Sequence, residues 1–257
     1  RFDMSDCNPV NTPAHHNVRL TKSQEPTTPS ELESMKNKPY RSIVGSLMYS
    51  MVATRPDIAF AVGACSRHLA NPGMTHLTAA KRVLRYLKGT HSMHITYHTN
   101  TNTQISAAYT DSDYANCSDT RKSVTSYVIK MAGGAVAWRS RVQRTTATSS
   151  VEAEYIALNE CAKEIMWMRT FLAELSVPQQ GATLIRLDNA GAEALAKNPV
   201  HHDRTKHIDV KYRYIRECIE NGCITLMHTD TKENLADIFT KPLEKRVFQQ
   251  HRQGLVD

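Results

Sequence analysis

Four acids lie where a folded chain can gather carboxylates: Asp111 in AAYTDSDYANCSD, Glu152 in SSVEAEY, Asp188 in RLDNAGAEALAKNP and Asp237 in ENLADIF. Two ionised carboxylates about 4 Å apart repel by roughly 4 kcal/mol at an effective dielectric of 20, so a cluster of them requires cations. An all-oxygen ligand set selects Mg²⁺ or Mn²⁺ over zinc. Two such ions about 4 Å apart are suited to in-line attack of water on a phosphodiester. Singly, each acid has a simpler explanation: Glu152 near a helix start complements the helix dipole, and Asp188 before Asn189 caps a helix. The apolar flanks Leu184-Ile185-Arg186-Leu187 and Leu235-Ala236 favour convergence.

Alternating strands and periodic helices must position these acids. Ile105 to Asp113 reads as a strand with Ile105, Ala107 and Tyr109 on its buried side, which places Asp111 and Asp113 on one face. Val124 to Ile129 is a second strand, and Gly133-Gly134 turns into a third from Ala135 to Arg139. Ser149-Ser150 caps a helix that carries Glu152 and runs, continuous or broken once, to Leu175. Thr183 to Leu187 is a strand, Asn189 opens a short helix closed near Asn198-Pro199, and Ile208, Tyr212, Ile215 and Ile219 mark another helix ending at Asn221-Gly222. Ile224 to Met227 is the last strand, followed by a final helix from about Glu233 that carries Asp237.

The upstream part reads differently. Five of the ten prolines fall in residues 1–39, which reads as an extended linker. Ile43, Leu47 and Met51 form one helical stripe, and Ile58, Val62, Cys65 and Leu69 another. A third helix, His76 to Leu87, contains no acid and bears Lys81, Arg82, Arg85 and Lys88. Such a face is either simply solvated or tracks a phosphate backbone. The net charge of +7 over 257 residues agrees with a polyanionic partner. Six scattered cysteines without a CxxC argue against a disulfide framework or a zinc ribbon and fit a reducing compartment. The spacing of His201, His202, His207, Cys218 and Cys223 is also unlike a zinc site. No apolar run approaches the roughly 18 residues of a membrane span, no signal peptide is evident, and a chain that starts at Arg1 reads as a fragment.

The motifs AYTDSDYANCSDTRKSVTSYVI, SSVEAEYIAL, RLDNAGAEALAKNP, RTKHIDVKYRYIRE and TKENLADIFTKPL, in this order, resemble the ribonuclease H domain of copia-type retrotransposon Pol polyproteins. YRSIVGSLMYSMVATRPDIAFAV and HLTAAKRVLRYLKGT resemble the segment that joins reverse transcriptase to that domain, and KPLEKRVFQQHR resembles the end of Pol. The resemblance implies a ribonuclease H-like α/β fold, a five-stranded mixed sheet flanked by helices over residues 101–257. It is preceded by a helical remnant of the reverse transcriptase thumb or connection region over 40–100. It implies cutting of the RNA strand of RNA/DNA hybrids with two Mg²⁺ ions, for which Mn²⁺ can substitute. Asp111, Glu152, Asp188 and Asp237 match the family's metal ligands. Glu154 points about 200° away from Glu152 on a helix, so only one faces the metals, and the motif match selects Glu152. Asp113 has no ligand counterpart and stands as a supporting acid.

Further expectations attach to single residues. Lys81, Arg82, Arg85 and Lys88 grip the nucleic acid, Thr148, Ser149 and Ser150 contact its sugars, and His228 is a candidate proton shuttle. His207 and Asp209 match a helix-start signature. Ser126, Val151 and Ala190 depart from the usual glycine, threonine and glutamine. The implied partners are the hybrid and the rest of Pol, namely reverse transcriptase and integrase, in the cytoplasm within a virus-like particle. The polymerase's paired aspartates are absent. Two rivals remain: a decayed element that only binds nucleic acid, and an integrase or transposase. The latter supplies two aspartates and then a glutamate, whereas here the glutamate lies between the first two aspartates.

Overall fold

The computed structural model describes the chain except residues 1, 100–102 and 198–205, with residues 206–210 and 212 described by backbone alone. In order, the main elements are α1 (Pro29–Lys36), α2 (Tyr40–Ala53), α3 (Ala59–Ser66), α4 (Met74–Gly89), β1 (Ile105–Asp113), β2 (Val124–Met131), β3 (Gly134–Val142), α5 (Ser150–Glu174), β4 (Thr183–Leu187), α6 (Ala190–Lys197), α7 (Lys206–Glu220), β5 (Ile224–His228) and α8 (Lys245–Gln253). Short 3₁₀ turns stand at Lys22–Gln24, Pro56–Ile58, Thr231–Glu233 and Leu235–Phe239. They form two compact units: one takes the described residues of Arg1–Ile95, Ser118–Thr120 and Lys241–Asp257, the other those of Thr96–Cys117 and Arg121–Thr240.

This division differs from the expected boundaries at 39 and 100. The last residues join the first unit, because Phe248 of α8 is buried edge-on against Tyr86 at 5.6 Å and His94 and Asp257 exchange backbone hydrogen bonds of 3.0 and 3.1 Å. Residues 1–39 are no free linker either. Thr12, Pro13, Pro26 and Met35 are buried, and Thr28-Pro29-Ser30-Glu31 starts α1 as a capping box with proline at its first helical position.

The basic helix meets this N-terminal segment. Lys88 Nζ donates to the carbonyls of Ser5 and, at 2.8 Å, Cys7; Arg85 Nε donates to Asn8 O at 2.7 Å; Arg82 donates to Thr12 Oγ1 at 2.9 Å. Three of the four cations expected on a phosphate backbone therefore bond to the chain itself, and among the described residues Lys81 has no hydrogen bond or ion pair. Replacing Arg85 and Lys88 by Ala is expected to speed proteolysis within residues 5–12 without changing the salt dependence of nucleic-acid binding. Limited digestion and binding titrations on the same protein check both halves.

The second unit holds the five-stranded mixed sheet flanked by helices, in the order β3-β2-β1-β4-β5. β1, β2 and β3 form an antiparallel meander, and β4 and β5 run parallel to β1. The hairpin turns at Ala132 and Gly133, both with positive φ, one residue earlier than expected. Gly133 has φ +87°, which favours glycine, and a Cβ there would also stand 2.5 Å from the ring of the exposed His98. A bulge at Ser106 shifts the β1 register, and Ala108 rather than Ala107 enters the core.

α5 is one unbroken helix of 25 residues. Its stripe Leu158, Cys161, Ile165, Met168 and Leu172 packs with Ala108, Ile129, Ile185 and Leu226 of the sheet. Tyr127, also in this core, donates through its hydroxyl to Glu164 at 2.9 Å.

Candidate metal centre

β1 and β4 lie side by side and parallel, so Asp111 near the end of one strand and Asp188 just past the end of the other emerge at the same edge of the sheet. α5 packs over β1 and contributes the third acid, Glu154. Asp111, Glu154 and Asp188 each offer a carboxylate oxygen within 4.8 Å of the others. Asp111 and Glu154 are buried and Asp188 is half-buried. Glu154 Oε2 is buried without a hydrogen-bond partner. Burial, and then the charges of Asp111 and Asp188, push the Glu154 carboxyl up from its ordinary 4.5 to about 9.

Glu152, the expected ligand, is not in this group. Its backbone N–H donates to Ser149 Oγ at 3.1 Å, and its Oε2 accepts from Thr148 N at 2.7 Å and Thr148 Oγ1 at 2.6 Å. Ser149-Ser150-Val151-Glu152 is an S-x-x-E cap whose glutamate reaches back to close the helix start. Glu154 instead continues the core stripe of Leu158 and Cys161 towards the N-terminus, so it faces the sheet. That stripe is present in the sequence and turns Glu154, rather than Glu152, towards the sheet.

The remaining expected residues fall around this group. Asp237 is buried, but in the 3₁₀ turn Leu235–Phe239 rather than the final α-helix, and outside the three-acid cluster. Asn234 caps that turn and donates to Thr110 O at 3.0 Å, while Ser126 Oγ donates to Ala236 O at 3.0 Å, which fixes the turn against β1 and β2. Thr240, just after it, donates to Asp111 Oδ2 at 2.6 Å. Sequence reading missed Thr240, and it read Ser126 only as a departure from glycine. Asp113 takes a hydrogen bond from Asn116 Nδ2 instead of joining the cluster.

Thr148, Ser149 and Ser150 are exposed at the start of α5, with Thr148 and Ser149 already engaged by Glu152. His228 is exposed and paired in register with Leu187, the residue before Asp188. Ala190 is exposed at the first position of α6. His201 and His202 lie outside the described residues, as do the side chains of His207 and Asp209.

No family model matches the chain. It is 44% identical over 249 residues to the Retrovirus-related Pol polyprotein from transposon TNT 1-94 of Nicotiana tabacum, covering 97% of this chain and 18% of the relative. The Retrovirus-related Pol polyprotein from transposon RE2 of Arabidopsis thaliana is 36% identical over 249 residues, 97% of this chain and 17% of its own length. The chain belongs to the copia-type retrotransposon Pol family. It spans less than a fifth of the length of these Pol relatives. Among solved structures, LC11-RNase H1 in complex with RNA/DNA hybrid aligns at 17% identity over 52% of this chain and 92% of its own, with a TM-score of 0.40. The second unit has the expected five-stranded mixed sheet with flanking helices. No helix among the described residues is long and apolar enough to cross a membrane.

Proposed function

We propose that the second unit is the ribonuclease H of a retrotransposon, hydrolysing the RNA strand of RNA/DNA hybrids formed during reverse transcription. The observation that carries this reading is the acid cluster of Asp111, Glu154 and Asp188 at one edge of the sheet. Three oxygen ligands within 4.8 Å, from carboxyl groups of which Glu154 also keeps one buried oxygen, Oε2, without a hydrogen-bond partner, fit a hard divalent cation such as Mg²⁺ or Mn²⁺. Bound there, a pair of such cations supplies the positive charge that in-line hydrolysis of a phosphodiester requires. The chain's own residues set up that site. Asp111 is oriented by Thr240, Glu154 is held by the core stripe of α5, and Asp188, half-buried, is the outermost of the three. Asp237 stands as a fourth, flanking acid, and His228 as an exposed proton carrier beyond Asp188. Glutamate between the first two aspartates in chain order favours this reading over an integrase or transposase. A cytoplasmic, particle-associated setting and association with the rest of Pol go with it.

The test is cleavage of one labelled RNA strand presented in a hybrid, in double-stranded RNA and in single-stranded form. Cleavage confined to the hybrid is expected, and equal cutting of all three would remove the assignment. A second outcome concerns Ala190, exposed next to Asp188 and Asn189 where an amide is usual. An amide there reaches the minor groove, where the 2′-hydroxyl marks RNA, and one ordinary hydrogen bond is worth about 0.5–1.5 kcal/mol. Ala190→Gln should therefore raise the single-turnover rate on a hybrid by several-fold with little change in thermal midpoint. An equal or slower rate would mean that the substrate does not approach α6.

A further inference from the structure

α5 carries a second apolar stripe that the fold does not use. Its core stripe, with Leu158, Ile165 and Leu172, faces the sheet, whereas Trp167 and Phe171 stand on the opposite side, 59% and 45% exposed. Their rings stack nearly parallel with centroids 5.4 Å apart. Single exposed apolar side chains are ordinary on a protein surface, but two adjoining aromatic rings make a contiguous patch, which is the informative kind of exposure. Around them the exposed positions Lys163, Trp167, Thr170 and Glu174 follow the 4-3-4 spacing of a seam that packs against another helix. Lys163 and Glu174, at its two ends, have no hydrogen bond or ion pair among the described residues.

We propose that this stripe is the contact of a symmetric dimer, in which α5 of a second copy of the chain lies antiparallel across it. The seam is self-complementary in that one direction. About a two-fold axis at its centre, Trp167 of each copy falls opposite the small Thr170 of the other, Phe171 opposite the half-buried Met166, and Lys163 opposite Glu174 at both ends. Parallel pairing would instead set lysine on lysine and glutamate on glutamate, so the charges choose the direction. Two such patches bury well under the roughly 1,200 Å² of a standard interface, which makes the pair transient rather than permanent. The inference does not depend on the hybrid reading above.

The test is the weight-average mass of the full chain, read by sedimentation equilibrium over rising protein concentration. The mass is expected to climb from that of one chain towards that of two. Lys163→Glu and Glu174→Lys should each weaken association by about tenfold, because both end pairs become repulsions. An equimolar mixture of these two variants should recover the association, since each supplies the charge that the other's ends require. That recovery also shows that both variants are folded. Trp167→Ser should weaken association at least as much as either charge reversal. All three positions are exposed, so the melting temperatures should stay close to that of the unaltered chain. The mass of a single chain at every concentration up to about 1 mM would overturn the proposal and leave the stripe to a different partner. Association that all three variants retain unchanged would place the contact elsewhere and overturn it too. A mixture that associates no better than its two components would remove the antiparallel register and with it the proposal.

Discussion

Glu154→Gln is expected to lower the single-turnover rate on an RNA/DNA hybrid by at least about 10³-fold, whereas Glu152→Gln leaves it within a few-fold of the unaltered chain. Loss of a ligand from a metal pair withdraws several kcal/mol of transition-state stabilisation, and each ~1.4 kcal/mol is tenfold in rate. Glu154 shares its surroundings with Asp111 and Asp188, while Glu152 accepts from Thr148. Glutamine keeps an acceptor oxygen for that cap, so Glu152→Gln is mild. Glu152→Ala keeps the Ser149 cap but loses the two bonds from Thr148, and should cost about 1 kcal/mol of stability with catalysis largely kept. Rates for the three variants, beside their melting curves, decide the matter. An inactive Glu152→Gln together with an active Glu154→Gln would reverse the assignment.

A second large effect is expected in metal-free protein as pH rises. The Glu154 carboxyl is raised from an ordinary 4.5 to about 9, chiefly by burial and then by the charges of Asp111 and Asp188. Between those two pH values the folded chain holds a proton that the unfolded chain has released, so stability is highest on the acid side of the window and falls as pH climbs through it. The fall attributable to this one group is up to about 1.4 kcal/mol per pH unit. Glu154→Gln carries no such proton. In EDTA the unaltered chain should therefore lose stability relative to the variant from pH 6 to pH 8, and Mg²⁺ should restore more of it at pH 8 than at pH 6. Parallel pH curves for the two proteins would show that Glu154 is not held neutral.

Much of this architecture is legible in the sequence where local pattern and tertiary packing agree. Alternation and turn residues locate Ile105–Asp113 and Thr183–Leu187 at their observed bounds, and Ser149 caps α5 as expected. The misreadings have physical causes. The code S/T-x-x-E occurs at Thr28–Glu31 and again at Ser149–Glu152, and in both places the glutamate turns back to a backbone N–H at the helix start. Motif matching reads the second of these glutamates as a ligand, whereas it stands outside the three-acid cluster, and it passes over the first helix altogether. Proline-rich composition suggested a linker over residues 1–39, because the hydrogen bonds that tie its early part down come from Arg82, Arg85 and Lys88, far along the chain. The bulge at Ser106 is likewise a property of pairing with β2, which alternation within one strand does not reveal. Asp237 was placed on an α-helix, whereas Asn234 bonds both its own turn and Thr110 O and so holds a tighter 3₁₀ geometry.

The central claim is that the cluster of Asp111, Glu154 and Asp188 holds divalent cations that make this chain a hybrid nuclease. It is tested most directly by following one 5′-labelled RNA strand, annealed to DNA, under single-turnover conditions with the 257-residue chain, first in EDTA and then across a Mg²⁺ titration. The expected result is no cleavage in EDTA and internal cuts in the RNA strand whose rate rises with Mg²⁺ and saturates. Cleavage that proceeds equally in EDTA, or an intact RNA strand at saturating Mg²⁺ and Mn²⁺ with a folded protein that binds the hybrid, would contradict it.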